Sequence, residues 1–295
     1  MHTDAIITHA IREAGICGPL ARVQAISSDA HQSVLSIELE NARRFIAKVV
    51  GNDQRERLTA EQNGLRALSQ SATLHVPTTQ PIVDADGHSV LIMACLETVQ
   101  AAREEAWARF GDELAQHHLS HHGDAFGWEI DNYIGATPQT NTRCDDWVEF
   151  NAVHRLGYQL RLARDRGLVP GSESSQVTGV IDRLDRLIPR HPHPALLHGD
   201  LWSGNVIPTP IGSETRISLI DPAVYVGDGW ADIAMFRLFG SPPHAFERAY
   251  AKINADHDQL STRILVYQLY HMLNHLNLFG TSYLGSVLRI CDRLR

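Results

Sequence analysis

The segment LLHGDLWSGNVI, from Leu196 to Ile207, places an acid and an amide five residues apart between two apolar runs. Neither Asp200 nor Asn205 suits the inside of a core strand, because a buried polar group is costly without a partner. An ordinary turn would not require the neighbouring His198 or Trp202. The spacing therefore indicates a loop with a chemical role, inserted between two short buried strands.

The composition of the chain is that of a globular protein, and it restricts the partners. Its 295 residues are 43% apolar and 20% charged, enough for one large domain or for two lobes with a real core. The chain contains no run of about 18 apolar residues, so we predict no membrane-spanning helix, and we expect no signal peptide. The net charge of −8 argues against a general nucleic-acid binder. The four scattered cysteines lack a CxxC pair, which predicts free thiols and a cytoplasmic protein.

The first third of the chain has the pattern of a small antiparallel sheet with one inserted helix. Residues 3–14 predict a short amphipathic helix, and residues 32–50 form two alternating runs around a polar turn, which is typical of two strands. Residues 56–70 have helical periodicity. Residues 82–97 predict a hairpin that turns at Asp86-Gly87.

The remainder of the chain is mainly helical. The exceptions are two short apolar strands, Pro194–Leu197 and Ile217–Ile220, on either side of the loop quoted above. We therefore expect an α+β fold in two lobes. Residues 1–96 would form the smaller lobe with the sheet, and residues 97–295 the larger helical lobe.

Two charges fall on otherwise apolar faces of the first lobe. Lys48 lies in the middle of an apolar strand, and Glu61 lies between Leu58 and Leu65 on the apolar face of the next helix. Each charge would be costly to bury alone and tolerable as a pair. Together they predict an ion pair like the one with which kinase folds hold the α- and β-phosphates of a nucleotide.

The loop itself fits the pattern His-x-Asp-x-x-x-x-Asn of a kinase catalytic loop. In that chemistry the carboxylate, here Asp200, accepts the proton of the attacking hydroxyl, while the amide, here Asn205, binds Mg²⁺. A second acid, Asp221, ends the strand Ile217–Ile220 in the position of the second metal ligand of kinases. It is followed by Pro222 instead of a Phe-Gly pair.

Five longer blocks carry a family resemblance: HGDLWSGNV at 198–206, IDPAVYVGDGWADIAMFRLFG at 220–240, FGWEIDNYIGATPQTN at 126–141, DDWVEF at 145–150 and YQLYHMLNHLNLFG at 267–280. With them the chain resembles the fructosamine kinases (ketosamine-3-kinases), in the aminoglycoside phosphotransferase-like branch of the protein-kinase-like fold. The resemblance runs from about Phe45 to the last residue. It implies a bilobal fold and ATP-dependent phosphorylation of the sugar 3-hydroxyl of ketosamines, free or on protein lysines. The product loses its sugar, which amounts to deglycation.

The resemblance also assigns roles within the catalytic machinery. It makes Asp200 the catalytic carboxylate, Asn205 and Asp221 the ligands of Mg²⁺, and Lys48 with Glu61 the pair that holds the phosphates of ATP. Asp232 resembles the acid that braces the catalytic loop. We place it in that supporting role together with His198.

Candidate contacts with the substrate and the nucleotide complete the site. Trp202 offers an aromatic face for the sugar. His271, Asn274 and His275 share one helical face and can line the same pocket, although a role as satisfied core residues is also open. Met93 and Cys95 belong to the segment that we expect to contact adenine, through backbone hydrogen bonds and the methionine side chain.

The loop expected to cover the phosphates departs from the family. The family has two glycines there, whereas no glycine occurs between Gly18 and Gly51 in this chain. Without them, backbone N–H groups approach phosphates less closely, so we expect the stretch Ala25–Gln32 to fit ATP less tightly or to use the hydroxyls of Ser27 and Ser28 instead. The stretch has no cysteine, and we expect a monomer.

Three alternatives remain open from the sequence. A kinase of the same fold can act on another hydroxylated amine, such as an aminoglycoside or a choline-like compound. A nucleotide-binding protein without turnover is the alternative of another class. The third concerns His118 and His122, which are four residues apart but lack the glutamate of an HExxH zinc motif, so solvated or core-edge histidines are favoured.

Overall fold

The computed structural model of the chain describes residues 2–28, 31–71, 73–120, 123–255 and 257–295. The chain forms two compact units, which are Met1–Ala101 with Pro208–Asp221, and Ala102–Ile207 with Pro222–Arg295. The division expected at residue 96 lies five residues before the end of the first segment, Ala101. The sequence did not indicate that residues 208–221 belong with the first unit.

The first unit contains a five-stranded antiparallel sheet in the order β1-β2-β3-β5-β4. Its strands are β1 (Leu20–Ser28), β2 (Ser33–Leu39), β3 (Arg44–Gly51), β4 (Val83–Ala85) and β5 (His88–Ala94). In the middle of the sheet, Lys48 of β3 pairs with Val34 on one side and with Leu91 on the other. The predicted strands and the hairpin at Asp86-Gly87 are confirmed, and both turn residues have a positive φ, as such a turn requires.

The two faces of this sheet are covered by different helices. Helix α1 (His2–Glu13) contributes Ile6, Ile7, Ala10 and Ile11 to a core that includes Phe45 and Ala47 of β3. On the opposite face, helix α2 (Arg55–Ser69) packs Leu58 and Leu65 against Val50, Leu91 and Met93. The alternation of β3 therefore sends Lys48 to the face that α2 covers.

A second hairpin brings a later part of the chain to the first unit. It consists of β9 (Val206–Ile211) and β10 (Glu214–Leu219). The backbone N–H of Leu219 donates to the carbonyl of His75, at 2.8 Å. The predicted strand Ile217–Ile220 is thus part of β10, which begins three residues earlier and ends one residue earlier.

The second unit is mainly helical, with a large buried core. Its helices are α3 (Glu104–Leu119), α4 (Trp147–Phe150), α5 (Gly157–Asp165), α6 (Gly171–Ile181), α7 (Leu184–Leu187), α8 (Trp230–Phe236), α9 (His244–Ile253), α10 (Leu260–Phe279) and α11 (Leu284–Arg293). Across the part of the chain that the structure describes, no helix combines the length and the apolar character needed to cross a bilayer.

Two short strand pairs complete the second unit. Strand β8 (Pro194–Leu197), which leads into the HGD loop, pairs antiparallel with β11 (Tyr225–Asp228). The expectation of two strands bracketing the loop missed β11, although Tyr225–Asp228 is buried throughout. The other pair is the hairpin of β6 (Asn132–Ile134) and β7 (Thr137–Gln139).

A buried ion pair ties the end of β11 to helix α10. Asp228 and Arg263 are 2% and 1% exposed, and Asp228 Oδ2 accepts hydrogen bonds from Arg263 Nη2 at 2.6 Å and Nε at 3.0 Å. Tyr267 donates its hydroxyl hydrogen to the same oxygen, and burial raises the pKa of this phenol well above its ordinary value.

We expect Arg263→Met to destabilise the protein by about 3–5 kcal/mol, because it leaves the Asp228 carboxylate buried without its cation. Urea unfolding followed by fluorescence measures the change. The matched control is Arg295→Met, since Arg295 pairs with Asp292 at the surface with 64% and 58% of the side chains exposed. The control should change stability by no more than about 0.5 kcal/mol. Equal effects of the two substitutions would contradict the prediction.

Candidate functional site

Lys48 occupies a buried, doubly paired position in the first unit. Its Nζ lies 2.7 Å from Glu61 Oε1 and 2.7 Å from Asp221 Oδ1. Burial alone would lower the pKa of the ammonium, but the attraction of Glu61 and Asp221 outweighs it and raises the pKa to about 12. Lys48 is therefore a fixed positive charge, held in place by two carboxylates.

Glu61 is nearly buried beside it, with 13% of the side chain exposed. Burial raises the pKa of this carboxyl, and the attraction of Lys48 opposes that rise. The pairing predicted from the two polar positions on apolar faces is present in the structure. Sequence patterning did not indicate that Asp221 would share the same ammonium.

Asp221 has an unusual backbone conformation. Its φ of +55° lies in the left-handed region, which non-glycine residues rarely adopt. The side chain is 45% exposed even though Oδ1 contacts Lys48. The conformation turns the chain sharply after β10 and aims the carboxylate at the lysine, so that this acid is fixed in direction by both backbone and ion pair.

The other nucleotide candidates of the first unit differ in accessibility. Met93 is 4% exposed and packs in the core between the sheet and α2. Cys95, directly after β5, is half-buried, and its N–H donates to the carbonyl of Arg44 at 3.4 Å. Met93 is thus a core residue, whereas Cys95 stands at the point where the strand ends.

Ser27 and Ser28 are exposed at the end of β1. The Oγ of Ser28 lies 3.0 Å from that of Ser33. The expected loop Ala25–Gln32 is corrected in one respect, because Ala25 to Ser28 continue β1 and leave only four residues before β2. Asp29 and Ala30 lie outside the described residues.

In the second unit, Asp232 holds the start of the HGD loop. It accepts hydrogen bonds from the backbone N–H of His198 at 2.7 Å and of Gly199 at 2.9 Å. Burial would raise the pKa of Asp232, but His118 and the backbone donors more than offset burial and lower it. The expected supporting position of Asp232 and His198 corresponds to these contacts.

His118 is a supporting residue that sequence analysis missed. It is 1% exposed, its Nε2 lies 3.2 Å from Asp232 Oδ2, and its Nδ1 lies 2.9 Å from the hydroxyl of Tyr250. Asn254 donates to the same hydroxyl at 3.0 Å. A buried chain of hydrogen bonds therefore orients the carboxylate that holds the loop. His122, considered with His118 as a zinc motif, lies outside the described residues.

Gly199 is the position of the loop that needs a glycine. Its φ is +82°, and a Cβ there would lie 2.0 Å from the carbonyl oxygen of Ala223. The N–H of Ala223 in turn donates to the carbonyl of His198 at 2.8 Å. The loop and the segment after Asp221 are therefore packed backbone against backbone at this point, without room for a side chain.

Asn205 closes the other end of the loop. Its Nδ2 donates to the carbonyl of Asp200 at 2.9 Å, and it is 5% exposed. Because the amide nitrogen faces the loop, the amide oxygen remains as the end that can bind a cation. An amide oxygen and the carboxylate of Asp221 are hard ligands of the kind that Mg²⁺ prefers. Among the described residues, no cluster of three or more His, Cys, Asp and Glu side chains is arranged to hold a metal.

A cavity of about 480 Å³ in the second unit contains Asp200 and the predicted substrate residues. Its lining is mostly apolar or aromatic, with a few polar groups. The lining residues are Ile134, Gly135, Asp200, Trp202, Met235, Phe239, His271, Asn274, His275, Leu278, Phe279 and Tyr283. Trp202, 40% exposed, packs its ring over Gly204, where a Cβ would lie 2.3 Å from the ring. The structure thus brings the predicted acid, the aromatic platform and the α10 face together.

His271 is a buried polar member of that lining, together with Asn274. It is 2% exposed, and its Nδ1 has no hydrogen-bond partner in the structure. Burial, reinforced by neighbouring positive charge, lowers the pKa of His271 to about 3. The imidazole is therefore neutral at physiological pH and available as a hydrogen-bonding group of the cavity wall.

A buried amide network beneath the loop was also missed. Gln139 Nε2 donates to Asn132 Oδ1 at 2.8 Å and to the carbonyl of Ala223 at 3.1 Å, while Asn132 donates to the carbonyl of Val224 at 2.7 Å. The hydroxyl of Tyr270, next to His271, donates to Gln139 Oε1 at 2.6 Å. Both amides belong to the block at 126–141, and their place in that block of family resemblance is the one feature of the sequence that pointed to them.

Comparison with known proteins places the chain among phosphotransferases. The sequence model described as fructosamine kinase matches residues 15–295. A probable ketoamine kinase of Synechocystis is 39% identical over 83% of this chain and 81% of its own. The chloroplastic protein-ribulosamine 3-kinase of Arabidopsis thaliana is 35% identical over 79% of this chain and 70% of its own.

Solved structures agree with this comparison. A putative fructosamine-3-kinase of Thermobifida fusca superimposes with a TM-score of 0.84 at 30% identity, covering 99% of this chain and 97% of its own. An aminoglycoside phosphotransferase solved with AMP-PNP and hygromycin B has a TM-score of 0.65 at 16% identity, covering 96% of each chain. The latter similarity concerns the fold alone. The predicted α+β kinase-like fold is confirmed.

The buried His271 makes stability depend on pH. In the unfolded chain this imidazole gains its proton below about pH 6.5, whereas in the folded protein it does so only near its pKa of about 3. Between these values the unfolded state binds more protons, so stability falls as the pH falls. Between about pH 5.5 and 4.5 the free energy of unfolding of His271→Gln should therefore fall by about 1.4 kcal/mol less than that of the wild type. Urea unfolding at both pH values measures it, and parallel slopes would exclude a neutral buried His271.

Proposed function

The chain belongs to the fructosamine kinase family, and on that premise we propose that it transfers the γ-phosphoryl group of ATP to the sugar 3-hydroxyl of a ketosamine. The observation that carries the proposal is the family match over residues 15–295, with Asp200 of the HGD loop in the wall of a cavity. The substrate is a fructosyl- or ribulosyl-amine, either as a small molecule or on a protein lysine. Phosphorylation leads to loss of the sugar, so the role is deglycation.

We propose Asp200 as the catalytic carboxylate that accepts the proton of the attacking hydroxyl. Phosphoryl transfer depends on positioning and on charge neutralisation more than on covalent catalysis. The hydrogen bonds of Asp232 to His198 and Gly199 support this role, because they fix the backbone directly before Asp200. No nucleophilic side chain is needed.

For ATP, we propose that Lys48 contacts the phosphates. An ammonium has three N–H donors, and two of them face Glu61 and Asp221 in the structure, which leaves a direction for a phosphate oxygen. Glu61 positions the ammonium. Met93 and Cys95 are proposed at the adenine, and Ser27 and Ser28 near the phosphates, where their exposure leaves the hydroxyls accessible.

For Mg²⁺, we propose as ligands Asn205 and Asp221, the residues that the family pattern assigns to it. Asn205 offers its amide oxygen because its Nδ2 is engaged with Asp200, and Asp221 offers a carboxylate that is nearly half exposed. When bound, the cation neutralises phosphate charge. Contacts within the protein hold both side chains, Asn205 through the loop backbone and Asp221 through Lys48.

The sugar is proposed to bind between Trp202 and the face of α10 that carries His271 and His275. An aromatic ring presents an apolar face to the carbon skeleton of a sugar, and neutral imidazoles exchange hydrogen bonds with hydroxyls. The unpartnered Nδ1 of His271 supports this assignment. We propose a cytoplasmic enzyme, since all four cysteines are free thiols, although the Arabidopsis relative is chloroplastic.

A panel of acceptors tests the proposed function. We expect ATP-dependent ADP release with a fructosyl-amine or a ribulosyl-amine, and none with kanamycin or choline. Asp200→Asn should lower kcat by about 10²-fold or more while nucleotide affinity is retained, the scale of a positioned general base. Release with kanamycin or choline alone would favour another amine kinase of this fold. Undiminished turnover by the variant would remove Asp200 from the mechanism.

The two proposed metal ligands should differ in their effect on nucleotide binding. Asp221→Ala removes a carboxylate and is expected to abolish Mg²⁺-dependent binding of ATP. Asn205→Ala should raise the Mg²⁺ midpoint less, because water replaces a neutral amide ligand more easily than a carboxylate. Calorimetric titration of ATP at increasing Mg²⁺ measures both. Wild-type midpoints in the two variants would contradict the assignment.

A further inference from the structure

Aromatic side chains form a cluster in the lining of the cavity. The rings of Phe239, Phe279 and Tyr283 surround that of His275, with centroids at 4.8, 5.4 and 5.3 Å from it. We call Phe239, Phe279 and Tyr283 the aromatic rim; it borders the imidazole of His275, which is proposed above to face the sugar. All of them line the same cavity as Asp200.

The aromatic rim exposes more apolar surface than folding requires. Phe279 is 61% exposed and Phe239 is 46% exposed. Side chains so far from burial contribute little to the folded state, while a ligand that covers them removes apolar surface from water. Contiguous exposed aromatic surface beside a pocket is typical of a binding site.

The backbone holds the aromatic rim in shape. Helix α10 ends at Phe279 because Gly280 has a φ of +88°, and a short 3₁₀ turn then returns Tyr283 to within 5.9 Å of the Phe279 ring. His275 lies one helical turn before Phe279 on the same face. The position of these rings is thus fixed by the course of the backbone.

No charge opposes an apolar ligand at the aromatic rim. Burial lowers the pKa of His275, which keeps its imidazole neutral at physiological pH. Among the described residues that line the cavity, Asp200 is the one carboxylic acid, and no lysine or arginine is present. Neither a carboxylate nor a guanidinium on the ligand would find an opposite charge in the aromatic rim.

We propose that the aromatic rim binds the hydrocarbon chain attached to the amine nitrogen of the ketosamine, and that the enzyme selects among ketosamines of one sugar by the length of that chain. The inference rests on the proposed function. With the sugar at Trp202 and Asp200, the amine substituent extends along the same cavity toward the rim. The four-carbon stem of a lysine side chain matches this chemistry.

The test compares two substrates that differ only in the amine substituent, fructosyl-methylamine and fructosyl-hexylamine. In the wild-type enzyme the KM for the hexylamine adduct should be about tenfold lower than the KM for the methylamine adduct, because several methylene groups leave water when the longer chain binds. The values of kcat should agree, since contacts far from the reacting hydroxyl bind ground and transition state alike. In the double variant Phe239→Ala, Phe279→Ala, the two KM values should become equal.

The matched control is Val153→Ala, which removes an exposed apolar side chain (43% exposed) of the same unit outside the cavity lining. It should keep the tenfold preference. A urea-unfolding midpoint of the double variant that matches the wild type shows that the fold is retained. Equal KM values in the wild type, or a tenfold preference that survives the double substitution, would overturn the role of the aromatic rim. The same pair of ribulosyl adducts is tested in parallel, and failure of the wild type to phosphorylate the fructosyl and the ribulosyl adducts alike would instead remove the proposed function.

Discussion

The carboxylate of Asp232 is the contact on which the HGD loop depends. Its two oxygens accept the backbone N–H groups of His198 and Gly199, and His118 contacts one of them from helix α3. These two N–H groups follow the end of strand β8 and donate to Asp232 and not to a neighbouring strand. Without Asp232 they would be buried and unsatisfied, which costs about 1–3 kcal/mol of stability for each group. The next residue is Asp200, whose direction follows from this constraint.

The parts of the fold that sequence predicts are those with a regular apolar pattern. Helices α1 and α2 and strand β2 each present an apolar face, whereas β3 and β5 contribute apolar residues to both faces of the sheet, and the positions of all five follow within a few residues. Strand β1 was missed because its side chains are mostly exposed. Strand β11 was missed for the opposite reason: it is wholly buried yet contains Asp228, whose partner Arg263 lies 35 residues later.

The candidate site divides along the same line. Lys48 and Glu61 are visible in the sequence because each interrupts an apolar face, and Asp200 and Asn205 because of their spacing. His118 gives no such signal, since its partner Asp232 is 114 residues away. The return of residues 208–221 to the first unit is equally hidden, because it depends on backbone bonds such as that from Leu219 to His75.

The lining of the cavity in the second unit combines one acid with neutral histidines, and this combination suits the catalytic role that we propose for Asp200. An imidazolium in the same cavity would attract the Asp200 carboxylate and compete with the substrate hydroxyl of the proposed reaction. Burial prevents this competition, because it holds the pKa of His271 near 3 and lowers that of His275. Electrostatic interactions are stronger where water is excluded. In the mechanism proposed above, the neutral wall therefore adds no competing cation among the described lining residues, and recognition of the substrate is left to shape, hydroxyl hydrogen bonds and the aromatic rings.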